Sequence, residues 1–169
     1  MTFDPRAHIE PVGIILALVV GFGWAKPVPV EANRFYPNEQ RSMMMVAIAG
    51  PVSNLILAIF FGIFLRFLLI GIDTRSGLTG FGLDVLATIV LFNLVLTLFN
   101  LIPLSPLDGW KVMLGLLSPR QAFDIMKYER ESTLALLLLL IMGSFSPALN
   151  VLGTIFGPLI NLFFDVVVG

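Results

Sequence analysis

The residues best suited to chemistry in this chain lie in one short run, Asn100-Leu101-Ile102-Pro103-Leu104-Ser105-Pro106-Leu107-Asp108-Gly109. A long apolar segment ends there in two spaced prolines, which stop a helix and stiffen the residues after them, and a single carboxylate, Asp108, comes next. Gly109 permits a sharp backbone turn beside it. Two jobs suit that carboxylate. It could cap a helix beginning near Trp110 by accepting bonds from free amide donors, or it could ligate a divalent metal. An ionisable group at the margin of an apolar span is costly unless it faces protein, water or a metal. Carboxylate oxygen is an accepted zinc ligand beside imidazole, and a catalytic zinc takes three protein ligands and keeps one position for water.

Other polar groups are weaker candidates. Asn54 and Asn100 carry carboxamides within apolar sequence; each could hold a peptide backbone, and Asn54 an oxyanion, or either could serve as interhelical glue, the role that also suits Asn93. His8 is the one histidine. With Asp4, Glu10 and Asp108 it could form a metal site, but spacing two puts His8 and Glu10 on one face only if the chain is extended. The plainer reading is an interfacial loop in which Pro11 fixes the entry to the next segment.

What must position these groups is a membrane-embedded helical unit. Hydrophobic residues make up 57% of the chain, charged ones 12%, and the mean hydropathy is +0.97, far from the composition of soluble domains. The 169 residues suffice for one unit of a few spans and no second domain, since each crossing takes about 20 residues. A net charge of -1 and no Lys/Arg cluster exclude nucleic acid as a partner. The absence of cysteine excludes thiolate metal sites and disulfides. Met1 to Glu10 lacks a basic region followed by an apolar core, so it does not read as a signal peptide.

Along the chain, apolar segments fall at about 12–24, 42–72, 83–104, 132–145 and 149–168. The first is short and rich in glycine, so it reads equally as a re-entrant piece or a crossing. The segment 25–36 contains Pro27 and Pro29 alternating with Val28 and Val30, which predicts an extended or β stretch. In the second segment Ala47, Ala49, Gly50 and Ser53 allow close helix approach, and Arg66 lies near one end, where it can snorkel. The stretch 105–131 reads as a surface loop with a short amphipathic helix after Ser118-Pro119. The last two segments form either a hairpin or a crossing followed by an embedded helix. Lys26, Arg34 and Arg41 in one connection, and Lys111, Arg120, Lys127 and Arg130 in another, predict that loops 25–41 and 105–131 face the cytoplasm.

Four blocks in order resemble one known family. They are His8-Ile9-Glu10-Pro11-Val12-Gly13, Phe22 to Val30, Ala49-Gly50-Pro51-Val52-Ser53-Asn54, and Asn100 to Gly109. Together they are similar to the smaller prokaryotic branch of the site-2 protease family of intramembrane zinc metalloproteases, over essentially the whole chain. The resemblance implies an all-α polytopic fold in a prokaryotic cell membrane and a membrane-embedded Zn2+ site. In that site an H-E-x-x-H helix gives two histidine ligands and a general-base glutamate, while Asp108 gives the third ligand. It also strengthens the functional reading of Asn54. The substrate would be a membrane protein or peptide, and Pro27 and Val28 in the extended stretch could pair with it once it is unwound into a strand, while the prolines equally suit an edge with little pairing.

One departure bears on activity. H-E-x-x-H occurs nowhere in the chain. In the family that motif lies upstream of the block matched by Thr2 to Gly13, so the expectation is a start placed too far downstream, with a truncated form or an inactive relative as alternatives. The chain as written is expected to bind little zinc and to cut no peptide bond. The competing class is a non-catalytic membrane protein that binds a partner or substrate helix; a small channel has only scattered polar residues in its support.

Overall fold

The structure, a computed structural model, describes residues 37–71, 77–145 and 151–169. Among these every regular element is a helix: α1 (Glu39–Gly71), α2 (Gly77–Asn100), α3 (Asp108–Leu116), α4 (Pro119–Met126), α5 (Glu129–Phe145) and α6 (Val151–Val167). The short apolar segment 12–24 and the extended stretch expected at 25–36 lie outside the described residues.

Two helices are long and apolar enough to cross a membrane, Glu39–Ile70 and Gly80–Asn100, with mean hydropathies of 2.3 and 2.1. They pair antiparallel, because Thr97 near the end of α2 donates from its hydroxyl to the Pro51 carbonyl at 3.3 Å, Ala58 packs with Val90 and Leu94, and Leu65 packs with Leu83. Helix α6 lies along the pair. Its Phe156 meets the Phe99 cluster, Ile160 and Phe163 meet Ala58 and Val90, and Val168 just beyond it meets Leu65 and Leu83. Its 17 residues thus run beside the pair for about 25 Å at 1.5 Å per residue. At the far end the Arg66 guanidinium donates to the Val166 carbonyl, 3.3 Å away. Outward faces carry Phe60, Phe64, Phe67, Phe92 and Leu162, all exposed, a surface suited to lipid.

α1 is longer than its partner. At 33 residues it measures about 50 Å, and α2 covers only the part beyond about Pro51. The remainder, residues 39–50, would be bare but for α3, read from the sequence only as a helix that could begin near Trp110 within a surface loop. That reading is corrected by two features: Asp108 to Leu116 is helical, and it docks on α1 instead of standing in solvent. The third apolar segment, expected at 83–104, also ends earlier than that. Helix stops at Asn100, and 101–107 turn so that Leu107, Phe99 and Leu136 of α5 form a small core. The expected short amphipathic helix after Ser118-Pro119 is α4. Ser118 accepts from the Gln121 amide and Gln121 reaches back to the Ser118 amide, a capping box with proline in the first turn.

Candidate metal-ligand site

Asp108 owes its position to three contacts, each explicable from the residues that make it. The turn before it is pinned to α5, where the Ser105 amide donates to the Ser132 hydroxyl at 2.9 Å and both serines are buried. Gly109 packs directly on the carbonyls of Leu101 and Ile102, so closely that any Cβ would collide with main-chain atoms that cannot give way. Trp110 is buried behind it. The far end of α3 is held by α1: the Gln40 carboxamide donates to the Leu114 carbonyl at 2.6 Å and to the Leu117 carbonyl at 2.9 Å. These carbonyls lie at the C-terminal end of the helix, where the last turn has few internal donors; the Leu114 carbonyl accepts from the Leu117 amide at 3.3 Å. Between the two ends Met44 lies against the bare Cα of Gly115. α3 therefore runs antiparallel along the first turns of α1, and its first residue arrives over Gly50.

The carboxylate sits against Gly50. A Cβ built there would stand 3.1 Å from Asp108 Oδ2. Two of the blocks singled out in the sequence, Ala49 to Asn54 and Leu107-Asp108-Gly109, are thereby brought together. Capping does not explain Asp108. The N-cap is Leu107, extended and without a side-chain cap bond, and Asp108 is the first helical residue. Among the described residues its carboxylate has no hydrogen-bond partner. Partial burial raises the Asp108 pKa above its usual range, and the Lys111 ammonium one turn on opposes that shift. A half-buried carboxylate with no donor is what a cation site requires of one of its ligands.

The asparagines separate. Asn93 donates to the Ile89 carbonyl of its own helix at 2.8 Å. Asn54 and Asn100 are half-buried, and their carboxamides make no hydrogen bond among the described residues. Asn54 stands four residues beyond Gly50, one turn further along the same helix face. Asn100 is the final residue of α2. His8, Glu10, Asp4, Pro27 and Val28 lie outside the described residues.

Among the described residues no three His, Cys, Asp or Glu side chains come together. Asp108 fits as one donor, and the described residues do not complete a site. The sequence reading missed Gly50 as the floor of the site and Gln40, Met44 and Gly115 as the clasp. The only local trace of them is the small-residue run before Pro51.

Comparison with known proteins gives one informative relative. The chain is 41% identical over 157 residues to "Putative zinc metalloprotease YwhC" of Bacillus subtilis (strain 168), a match that covers 89% of the chain and 70% of that relative. No family model and no solved structure matches.

Proposed function

Since the chain belongs to the zinc metalloprotease family of this Bacillus subtilis relative, we propose that it is a site-2-type component of intramembrane proteolysis in which Asp108 is the third zinc ligand. The observation that carries the reading is the Asp108 carboxylate lying over Gly50 with no donor among the described residues. The two imidazoles and the general base would come from an H-E-x-x-H sequence that the 169 residues do not contain. Asn54, one turn beyond Gly50, would hold the substrate backbone or the developing oxyanion, and Asn100 would assist at the end of α2. Pro27 and Val28 would contact the unwound substrate.

The membrane reading has a structural basis in the three apolar helices running side by side. α1 and α2 would cross the bilayer of a prokaryotic cell. Orientation follows from charge: Arg41 at the start of α1 and the basic residues of 105–131 stand at one end of the pair, because Gln40 bonds α3. Both would face the cytoplasm.

A second reading rests on the single family-type ligand in the chain: a non-catalytic membrane protein that holds a substrate or partner helix. One experiment separates them. The genomic DNA upstream of Met1 is translated in frame, and the protein that includes any H-E-x-x-H so found is purified from membranes for metal analysis. About one zinc per chain, lost in Asp108→Ala, supports the protease. An in-frame stop directly upstream, with no zinc bound, leaves the binding protein.

A further inference from the structure

The face of α4 is explained neither by the ligand site nor by the core. Ala122 is buried and Ile125 half-buried, so these two turn toward the body of the protein. Turning about the axis at roughly 100° per residue, the next sector holds Met126, Pro119 and Phe123, all exposed. Lys127 and Arg120 follow, and then Asp124 and Gln121. The order is body, apolar, basic, acidic. Exposed apolar area continues onto Leu116 and Tyr128, which flank the helix at its two ends. Lys127 sits 5.1 Å from the centre of the Phe123 ring and 2.7 Å from Asp124 Oδ1, so cation and aromatic ring share one patch.

The level of this patch is fixed by the clasp on α3. Leu117, two residues before α4, accepts its bond from Gln40, and Gln40 lies in the polar first turn of α1, Glu39 to Ser42, just ahead of the apolar run that starts at Met43. The start of a crossing helix at its polar-to-apolar boundary marks the headgroup layer. An amphipathic helix at that height, with an aromatic and a methionine on one side and Arg and Lys beside them, matches a helix lying in the interface.

We propose that α4 is an interfacial anchor: Phe123, Met126 and Leu116 enter the phospholipid headgroup layer of the same membrane, while Arg120 and Lys127 reach its phosphates. The anchor sets the height of α3, and therefore of Asp108, relative to the lipid. This rests on the reading of α1 and α2 as crossings, and the test keeps the two apart.

The chain has no cysteine, so single substitutions give unique spin-label sites. Phe123→Cys, Met126→Cys, Asp124→Cys and the mid-span control Phe60→Cys are labelled in vesicles of phosphatidylcholine and phosphatidylglycerol. Their relaxation by oxygen is compared with that by a water-soluble nickel complex. The expected result is oxygen exceeding nickel at 60, 123 and 126, more strongly at 60, and nickel exceeding oxygen at 124. Nickel access at 123 and 126 with lipid access at 60 overturns the anchor and leaves the crossings standing. Protection of 123 from both reagents also overturns it, because a second protein surface then covers the patch. Water access at 60 overturns the crossing helices and the anchor with them.

Discussion

The two ends of α1 are built on different principles. Beyond Pro51 it meets α2 and α6 mainly through Ala58, Leu65, Val90 and Leu94, an apolar seam filled by side chains, with Gly62 under Val167 as its closest glycine contact among the described residues. Before Pro51 it meets α3 through missing atoms and main-chain acceptors: Gly50 under a carboxylate, Gly115 under Met44, and Gln40 on two carbonyls. The seam tolerates small adjustment because side chains can repack. At the glycine end a new atom meets the Asp108 carboxylate at Gly50 and the Met44 side chain, Cβ included, at Gly115, and just beyond it Gly109 meets main-chain carbonyls. A site that must hold a carboxylate to a fraction of an ångström belongs at the second kind of contact.

The strongest way to break this contrast is Asp108→Ala in the protein carrying its complete metal site. Cleavage of a membrane substrate should fall to background while membrane insertion and detergent-extracted yield stay unchanged, and retained cleavage would remove the ligand assignment. Gly109→Ala should come next. Its methyl group meets the Leu101 and Ile102 carbonyls, and overpacking of this kind costs about 1–3 kcal/mol. Thermal unfolding in detergent should register the loss, with activity falling in parallel.

Val90→Ala probes the other end. Removing two buried methyl groups should cost about 1–2 kcal/mol, with cleavage per folded molecule little changed. Gln40→Ala should be milder in stability, about 1 kcal/mol from two lost hydrogen bonds, yet should reduce activity more than Val90→Ala does, because it frees the far end of the helix that carries Asp108. If the ranking in activity is reversed, the clasp does not position the site.

The smallest effect has the opposite sign. The folded-state pKa of Asp108 lies above the ordinary value of 3.8, so between those two points the folded protein binds more protons than the unfolded one, and its stability falls as pH rises through that window. In chelator, Asp108→Asn should match the native chain at the acid end and be slightly more stable at neutral pH. A native chain that instead gains stability over that window would contradict the burial of the carboxylate.

Much of this was legible from residue order. The apolar runs that became α1 and α2 and the short helix after Ser118-Pro119 follow from local hydropathy and proline, whereas the end of α2 at Asn100 fell four residues before the expected 104. Asp108 stood out because a charge at the margin of an apolar span is conspicuous. α3 was legible only in part: a helix beginning near Trp110 was one reading of the residues after Asp108, but its start at Asp108 and its docking were not, since nine residues with a glycine at the second and eighth positions read equally as loop and it is the surface of α1 that they pack against.

What sequence alone determined is therefore the class of the molecule and the identity of its carboxylate, because transfer cost and helical period act over a few neighbouring residues. Tertiary structure alone decided that the carboxylate rests on Gly50, that it caps nothing, and that Gln40 clasps α3 from 74 positions away. Contacts of that kind join distant segments through absent side chains and main-chain oxygens, which every residue carries, so the letters of the chain leave no mark where they will form.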